Sequence, residues 1–339
     1  MIIDQAPKQP TPVGAIRFNT DSSKMETYDG NQWVNITSTS PDQQTGGTRG
    51  MFMGQHADPA YTNTCCYINI ATTGNATDFG DFVEMTKQGG SAGSRTRAFY
   101  FGGKHPSNND EIQYATFASP GNFIDFGNLS VARRGLGCFS DSTRAIASGG
   151  YASWYNTIEY ITMASAGDAV DFGDLIAPTW GAGGMSSATR GLSVSGNSPE
   201  NSSVNTIVYV TIQTQGNAAD FGDLTVNYGN FPGCSANAIR GLRAGGLSQP
   251  AGVQAQSIEY VTMATLGNGT DFGDFSSQVG ATASVASPTR SCTGGFYTGS
   301  YTNTIEYVEI MTIGNAIDFG DLTTVGWGYG ASNGHGGLG

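Results

Sequence analysis

The tripeptide Asp-Phe-Gly occurs six times in this chain at nearly constant spacing. Its copies begin at Asp78, Asp125, Asp171, Asp220, Asp271 and Asp318. The intervals between them are 47, 46, 49, 51 and 47 residues. A protein kinase uses one such tripeptide to hold magnesium, so six copies at a fixed period argue against a catalytic role. A period of about 40 to 50 residues instead indicates a chain built from repeated supersecondary units.

Around each copy, a longer unit of four strand-like segments recurs. In residues 133–175 it reads RRGLGCFSDSTRAIASGGY…NTIEYITMASAGDAVDFGDL. Strand a is the Gly-rich run, strand b extends from an Arg to Gly-Gly, strand c alternates apolar and polar side chains, and strand d carries Asp-Phe-Gly. A Gly-Asn or Gly-Asp pair before strand d predicts a tight turn between strands c and d. Four short antiparallel strands per period are typical of a propeller blade.

The two ends of the repeat region complement each other. The first copy begins with a strand b at TRGMFMG (48–54), and no strand a precedes it. The segment GWGYGAS (326–332) has the character of a strand a, and no strand b follows it. We therefore expect the C-terminal strand to pair with the first copy and hide both sheet edges. The predicted fold is all-β: a six-bladed β-propeller of four-stranded blades, closed by the C-terminal strand and preceded by a small β-meander.

The repeat resembles the kelch repeat. The resemblance rests on the Gly-Gly that ends strand b, the polar-aromatic strand c and the aromatic residue of strand d, and it covers residues 48–334. The repeat departs from the kelch pattern at Phe172 and its equivalents, where kelch repeats usually carry Trp. The resemblance implies a propeller architecture and says little about function.

The chain divides into four predicted segments. Residues 1–13 are a Pro-rich extended arm, 14–36 a small module of three strands, 37–47 a linker, and 48–339 the propeller. Within the module we expect turns at residues 21–23 and at Asp29–Gly30. About 22 residues cannot build a core of their own. The module is therefore expected to dock on the propeller or on copies of itself.

Residues 14–36 are similar to a short module of bacteriophage tail fibres and related virion proteins. The residues that carry this resemblance are Gly14, Arg17, Phe18, Asn19, Tyr28, Gly30 and Trp33. The resemblance implies a virion protein, assembled in the bacterial host cytoplasm, with other tail proteins as partners. It also implies association between chains, often as trimers, through Arg17, Phe18, Tyr28 and Trp33.

Composition excludes several classes of function. Net charge is −12 and the pI is near 4.5, which argues against a nucleic-acid-binding surface because such surfaces need an excess of Lys and Arg. The longest apolar runs fall short of the roughly 18 residues that predict a membrane helix. The start MIIDQAPKQPTPVG lacks the basic and apolar regions of a signal peptide.

The sequence predicts neither a metal site nor a cofactor. The cysteines are odd in number and irregular in spacing, so we expect buried free thiols. The histidines stand in no catalytic or metal-binding pattern, and we expect ordinary surface side chains. These residues are Cys65, Cys66, Cys138, Cys234 and Cys292, and His56, His105 and His335.

Two sets of charged residues recur once per blade, and recurrence favours a structural role for both. The first set is the six Asp of Asp-Phe-Gly, expected to cap turns or pair with a blade Arg, with calcium binding as the alternative. The second set is the six Arg that begin strand b. Each is expected to pair with an Asp of strand d or a Glu of strand c, with anion binding as the alternative. Its members are Arg49, Arg97, Arg144, Arg190, Arg240 and Arg290.

The candidate binding residues lie where the repeats differ. The b–c and d–a connections of a four-stranded blade emerge on the same face, and here they are rich in aromatic side chains. Exposed aromatics on variable loops of a rigid scaffold suit sugar or protein recognition, whereas the alternative is packing between blades. The ligand or receptor candidates are Tyr61, His105, Trp154, Tyr155, Trp180, Tyr228, Tyr297, Tyr301 and Trp327.

These observations favour a phage virion protein that binds and does not catalyse. The hypothesis is a tail fibre or tail-associated adhesin whose loops bind the host surface or neighbouring virion proteins. One alternative is a capsid or neck decoration protein without receptor binding. Another is a glycan-active propeller enzyme, for which Asp58, Asp110 and Glu200 are the carboxylates outside the repeat. An intracellular kelch-like adaptor is the third alternative.

Overall fold

A computed structural model of the chain describes residues 11–20, 24–35, 47–57, 60–200 and 202–338. These residues form 27 β-strands and one short 3-10 helix, and no α-helix occurs among them. The structure divides into two compact units, Met1–Gln43 and Gln44–Gly339. Most of the predicted arm, the turn predicted at residues 21–23, most of the predicted linker and Asp58 lie outside the described residues. None of the helices in the described ranges has the length and apolar character that crossing a membrane requires.

The first unit contains a three-stranded antiparallel sheet. Its strands, in order, are β1 (Ile16–Asn19), β2 (Lys24–Tyr28) and β3 (Trp33–Asn35). Asp29 Oδ1 accepts the amide protons of Asn31 and Gln32, both at 2.8 Å, and so shapes the turn between β2 and β3. Phe18 on β1 is 57% exposed, so this sheet buries little apolar surface.

The second unit contains six four-stranded antiparallel sheets, numbered 1 to 6 along the chain. Sheet 1 contains β27 (Trp327–Ser332), β4 (Arg49–His56), β5 (Thr62–Asn69) and β6 (Thr77–Thr86). Sheet 2 contains β7 (Gly90–Gly93), β8 (Arg97–Lys104), β9 (Asn108–Thr116) and β10 (Ile124–Asn128). Sheet 3 contains β11 (Gly137–Ser140), β12 (Arg144–Ser148), β13 (Thr157–Thr162) and β14 (Val170–Asp174).

The remaining three sheets repeat the same a–b–c–d order. Sheet 4 contains β15 (Gly183–Ser186), β16 (Arg190–Asn197), β17 (Ser203–Thr211) and β18 (Ala219–Asp223). Sheet 5 contains β19 (Gly233–Ala236), β20 (Arg240–Ala244), β21 (Ala255–Thr262) and β22 (Thr270–Val279). Sheet 6 contains β23 (Ala283–Ala286), β24 (Arg290–Gly294), β25 (Thr304–Glu309) and β26 (Ile317–Asp321). The 3-10 helix η1 (Gly336–Leu338) follows β27.

The C-terminal strand completes sheet 1, as the sequence predicts. β27 pairs antiparallel with β4, with Ser332 opposite Gly50 and Ala331 opposite Met51. Each strand a also neighbours the strand a of the sheets before and after it, and β27 lies beside both β23 and β7. The architecture is therefore all-β and β-propeller-like.

The hydrophobic core lies between neighbouring sheets. One cluster, for example, joins Phe139, Ile146 and Phe172 of sheet 3 to Val210 and Ile212 of sheet 4. The Phe of every Asp-Phe-Gly copy is no more than 2% exposed. Burying one such side chain contributes about 1.5–3 kcal/mol, so the repeated Phe is a principal apolar contact of each sheet.

Asp-Phe-Gly joins each sheet to the next through its backbone. In sheet 3, Phe172 O accepts a hydrogen bond from Gly216 N of the c–d turn in sheet 4, at 2.8 Å. Asp174 N donates to Asn217 Oδ1 at 3.1 Å, and Asp174 O accepts from Ala218 N at 2.8 Å. We call these three bonds the rim joint.

The rim joint recurs between every pair of successive sheets and also between sheet 6 and sheet 1. There, Phe319 O accepts from Gly74 N at 2.8 Å, and Asp321 N donates to Asn75 Oδ1 at 3.1 Å. Asp321 O accepts from Ala76 N at 2.7 Å. The first and sixth repeats are therefore bonded in the same way as any two successive repeats.

The third residue of the tripeptide must be Gly because its backbone lies very close to the c–d turn of the next sheet at the rim joint. Gly173 has φ +148°, and a Cβ on it would lie 2.5 Å from Gly216 O.

The carboxylate of the first Asp is exposed in all six copies. No group of three or more His, Cys, Asp and Glu suited to a metal ion occurs within the described residues. The repeated motif thus connects the sheets mainly through backbone groups. The sequence had led us to expect that the Asp carboxylate would make the main contacts.

The six repeated arginines form a second set of joints, on the side of the sheets opposite the b–c connections. Arg144 lies over the Tyr160 ring of its own sheet, with Cζ 4.6 Å from the ring centroid, and its Nη1 donates to Ile212 O of the next sheet at 3.1 Å. For Arg49, Arg97, Arg144, Arg190, Arg240 and Arg290 the carbonyl acceptors are those of Phe117, Met163, Ile212, Met263, Ile310 and Ile70.

These contacts differ from the carboxylate pairing expected from the sequence. Among the six arginines, a carboxylate partner in the described part of the chain is found for Arg290, which bonds Glu309 at 2.9 Å. The cations are held by a Tyr ring and a carbonyl oxygen, so they serve to connect sheets.

Replacing Arg240 by Gln is expected to lower the free energy of unfolding by about 1–3 kcal/mol, because the variant loses a charge-assisted bond and a cation–π contact. The bond to Ile310 O is 3.2 Å long, and Arg240 Cζ lies 4.6 Å from the Tyr260 ring centroid. Urea denaturation followed by circular dichroism measures the change. Arg17→Gln, which removes a similar stacked cation from the first unit, is the control and should leave this transition in place.

All five cysteines are free, as predicted; four are buried and Cys234 is half-buried. Desolvation raises the pKa of the Cys234 thiol to about 12, and it raises the pKa of the Cys138 thiol further. We expect negligible reaction with a thiol-specific reagent at pH 8 in the folded state, because the thiolate is the reactive species. Five thiols should react in concentrated urea. Fast labelling of Cys138 in the folded protein would contradict this packing.

Candidate functional site

The side of the six sheets that carries the b–c and d–a connections is called the loop face here. Its most prominent feature is an aromatic cluster contributed by sheets 3 and 4. The Trp154 and Trp180 ring centroids lie 6.5 Å apart, and Tyr151 contacts both rings, at 5.4 and 5.7 Å. All three side chains are half-buried, so part of each ring faces solvent. Trp154 has φ +62°, a strained backbone conformation that sets the direction of its side chain.

A second aromatic group continues from this cluster toward the middle of the loop face. Trp180 contacts Phe231 at 5.3 Å, and Phe231 contacts Trp327 at 4.7 Å. Trp327 is only 4% exposed and packs on His56 at 4.5 Å. Trp327 is therefore a packing residue, which is the alternative that the sequence left open for these aromatics.

The other predicted binding residues lie in smaller groups on the same face, and all are half-buried. Tyr297 and Tyr301 stack on each other at 5.1 Å, and Tyr61 stacks edge-on against His105 at 4.7 Å. Tyr155 and Tyr228 each cover a buried guanidinium, with Cζ to centroid distances of 5.8 Å. The structure thus brings Trp154 and Trp180 together and leaves the remaining candidates apart from them.

The guanidinium groups under Tyr155 and Tyr228 belong to two buried ion pairs. Arg133, with a fully buried side chain, lies 2.6 Å from Glu159, and Arg243 lies 3.9 Å from Glu259. Burial lowers the pKa of the Arg243 guanidinium, while the Glu259 carboxylate opposes that effect. These pairs sit beneath the loop face and fix the connections above them.

Basic side chains that no pattern in the sequence predicts lie beside the aromatic cluster. The Arg134 Cζ is 4.9 Å from the Tyr151 ring centroid, and its Nη1 donates to Asn108 Oδ1 at 3.1 Å. Asn108 Nδ2 donates to Tyr151 O at 3.1 Å. Lys87 and Lys104 pair through their backbones, at 2.8 and 3.3 Å. The sequence feature that could have identified Lys87, Lys104 and Arg134 is their position in connections that differ between the repeats.

A narrow space lined by small side chains lies between the strands a of the six sheets. One cavity there, of about 50 Å³, is bordered by Ser91, Ser140, Ser186, Ser235, Ser284 and Ser332. The C-terminal segment lies against this space: His335 is among the lining residues, and the Arg95 guanidinium bonds the Leu338 carbonyl. A cavity of this volume has room for a few water molecules.

The sequence interpretation of His56 as a surface side chain is wrong, whereas His335 is half-buried. His56 is 1% exposed, because it packs under Trp327. His335 Nε2 lies 2.8 Å from Gly93 O, and its Nδ1 accepts from Gly337 N at 3.1 Å. These two bonds fix the neutral ring with its proton on Nε2, and burial lowers the pKa of His335. Contacts within the fold thus hold both histidine rings in place: His56 packs on Trp327, and His335 is hydrogen-bonded to the backbone.

The carboxylates considered for catalysis do not form an acid–base pair in the described residues. Glu200 is exposed, and a hydrogen bond from Ser198 lowers the pKa of its carboxyl group. A general acid needs the opposite shift. Asp110 lies half-buried on β9, where its carbonyl accepts from Leu129 N.

Comparison with protein-family models and with curated proteins finds nothing that matches this chain.

Proposed function

We propose that this protein is a non-enzymatic virion component of a bacteriophage, a tail fibre or tail-associated adhesin. Its second unit is a closed six-bladed propeller that presents the loop face to a host surface or to a neighbouring virion protein. The observation that carries the proposal is the half-exposed cluster of Tyr151, Trp154 and Trp180. Aromatic side chains on a rigid scaffold lose little conformational entropy on binding, so they suit recognition.

The closed ring is supported by three independent sets of contacts. The rim joint connects sheet 6 to sheet 1 with the same bonds used elsewhere, and Arg290 reaches Ile70 O of sheet 1 in the same way that the other five arginines reach the next sheet. β27 lies beside both β23 and β7. Such a scaffold holds its loops in fixed positions, which is what a receptor-binding face needs.

The first unit would attach the protein to sister chains or to the tail. Arg17 lies 4.2 Å over the Trp33 ring and 2.8 Å from Glu26, while Phe18 is largely exposed. A three-stranded sheet with an apolar side chain left in solvent gains stability when a second copy covers it. We propose self-association through this surface, with a trimer as the expected state.

The test of the proposed function is binding of the labelled full-length chain to intact host bacteria, together with immunolabelling of purified virions. We expect labelling at the tail, and we expect Trp154→Ala to reduce cell binding at least tenfold. Tyr297→Ala, which alters a separate aromatic pair on the same face, is the matched control and should bind as the wild type does. Labelling confined to the neck or capsid, without cell binding, would favour a decoration protein. Absence from virions would refute the assignment.

A further inference from the structure

Sheet 4 differs from the other sheets at one position of strand c, the residue opposite the first Asp of Asp-Phe-Gly. In four sheets that residue is Glu or Gln, and its side-chain oxygen accepts a backbone N–H of the connection that enters the sheet. The donors and acceptors are Val83 and Gln113, Ser130 and Glu159, Thr225 and Glu259, and Ser276 and Glu306, at 2.8 to 3.1 Å. Sheet 1 has Cys66 there, which accepts from Gln55 Nε2 at 2.8 Å. Sheet 4 has Val208, whose side chain cannot accept a hydrogen bond.

The valine leaves a backbone donor without a side-chain acceptor in the connection that enters sheet 4. That donor is Ile176, which follows Asp174 by two residues just as Ser130 follows Asn128. No acceptor for Ile176 N occurs among the residues that the structure describes. A backbone amide without a protein partner is satisfied by water or by a ligand. The Ile176 N–H is therefore open to a ligand oxygen.

Sheet 4 also lacks the guanidinium groups that accompany the buried carboxylates of sheets 3 and 5. Thr179 stands at the position of Arg133, one residue before the isolated bridge that each connection makes. Ser193 lies opposite Val208, where sheet 5 has Arg243 opposite its Glu. Hydroxyl groups and a valine thus replace the buried ion pair, and both charges are gone.

A cavity of about 140 Å³ lies between sheets 3 and 4, where these smaller side chains stand. Ile176, Thr179, Ser193 and Val208 all line it, and none of the described residues that border it is charged. Its walls include the connection that enters sheet 4 and the b–c connection within that sheet, so it lies at the loop face. Thr179 directly precedes Trp180 of the aromatic cluster. A dry cavity of about 150 Å³ admits a molecule the size of benzene, so this one can hold more than water.

We propose that this cavity binds the acetamido group of an N-acetylated sugar in a host-surface glycan. The inference rests on the proposed function and adds the chemical class of the ligand. The acetamido oxygen accepts from Ile176 N and takes the place of the side-chain oxygen present in the other sheets. The acetamido N–H donates to a hydroxyl of Ser193 or Thr206, for which no bonded partner occurs within the described ranges. The methyl group packs on Val204 and Val208.

The lining of the cavity favours this group over an acid or a plain sugar. A carboxylate would lack the cation that Glu159 and Glu259 each have, and an unpaired buried charge is costly. A sugar hydroxyl could accept from Ile176 N, but it would leave the valines without an apolar partner. The half-exposed ring of Trp180 lies beside the cavity and offers an apolar face to the rest of the glycan.

Saturation-transfer NMR on the full-length protein tests the chemical class of the ligand. The acetamido probes are N-acetylglucosamine and N-acetylgalactosamine, and the matched controls without this group are glucose and galactose. We expect transfer to at least one acetamido sugar, strongest at its methyl protons, and none to the two controls. Equal transfer to the controls, or no transfer to either acetamido sugar, would overturn the inference.

Val208→Gln tests the cavity, because it gives sheet 4 the side chain that sheet 2 carries at this position. Gln113 accepts from Val83 N at 2.9 Å, so the new Gln should fill the cavity and occupy the Ile176 N–H. We expect the affinity for the acetamido sugar to fall about tenfold or more. Val170→Gln makes the same exchange at a position of sheet 3 that is 53% exposed, and it should bind as the wild type does. Unchanged binding by Val208→Gln would overturn the inference.

A measurement on the wild-type protein does not depend on the folding of any variant. With ¹⁵N-isoleucine labelling, the amide proton of Ile176 should shift downfield when the bound acetamido sugar is added, because it gains an acceptor. The resonance is assigned by its absence from Ile176→Val. A sugar that binds but leaves this resonance unchanged occupies another site and contradicts the proposal.

The outcomes also distinguish this inference from the proposed function. Binding to host bacteria without binding to either acetamido sugar would overturn the assignment of the cavity and leave the adhesin proposal in place. Sugar binding that Val208→Gln abolishes, by a protein that is absent from virions and does not bind bacteria, would support the cavity and refute the proposed function.

Discussion

Gly173→Ala is expected to lower the free energy of unfolding by roughly 2–5 kcal/mol, which combines backbone strain with a steric clash. The glycine has φ +148°, and the new methyl group would lie 2.5 Å from Gly216 O of the next sheet. The contact is with backbone, so no flexible side chain can move aside. The rim joint between sheets 3 and 4 must therefore open or shift. The midpoint of urea denaturation, followed by circular dichroism, measures the loss.

The control for this variant lies in the same joint. Gly216 has φ +152°, but a Cβ there meets no atom within 4 Å, and its amide can still donate to Phe172 O. Gly216→Ala should therefore carry only the backbone strain, about 1–2 kcal/mol. Equal destabilisation by the two variants would show that the close approach of Gly173 to the neighbouring turn is unimportant.

Glu159→Val is expected to cost about 3–5 kcal/mol, because it leaves a buried cation without its partner. Arg133 has a fully buried side chain 2.6 Å from Glu159, and Ser130 N donates to the same carboxylate at 3.1 Å. Valine itself fits at this position of the repeat, since sheet 4 carries Val208 opposite Asp220 just as Glu159 stands opposite Asp171. The cost therefore comes from the charge. Urea denaturation and thermal melting both measure it.

The double variant R133M/E159V tests this explanation. Removing both charges should recover most of the lost stability, because an apolar pair pays no penalty for an unpaired buried charge. A double variant as unstable as Glu159→Val alone would assign the loss to the Ser130 bond or to packing. Together with the single variant R133M, these variants complete the double-mutant cycle that gives the coupling energy of the pair.

The periodicity of the sequence predicts much of this fold, but it does not predict which contacts the repeated residues make. Six copies of a four-strand unit predict the six sheets, and the unmatched strand at residues 326–332 predicts the pairing of β27 with β4. The rim joint could not be predicted, because it is made by carbonyl and amide groups that every residue carries. Each copy of Asp-Phe-Gly supplies a buried Phe ring and a Gly without Cβ. The Asp carboxylate is the most conspicuous group of the tripeptide in the sequence, but it is exposed.

The arginines and the aromatics show the same limit. Opposite charges suggested Asp or Glu partners for Arg144 and its equivalents, yet the nearest acceptor is a carbonyl brought there by the next sheet. Trp327 and Trp154 look alike in sequence, but Trp327 lies at the start of a strand between sheets and is buried, while Trp154 lies in a b–c connection and is half-exposed. Arg134 and Asn108 were missed because their convergence depends on contacts between two sheets.

The rim joint also has a direction, since strand d of one sheet always meets the c–d turn of the following sheet. A contact between unlike surfaces either closes on itself or continues as an open array. Nothing in its hydrogen bonds limits how many copies can be added. The pairing of β27 with β4 is thus more than the last step of sheet 1, because it consumes within one molecule a strand edge that could otherwise recruit another. In the closed ring that we propose, this pairing is expected to disfavour head-to-tail polymerisation as well as unfolding.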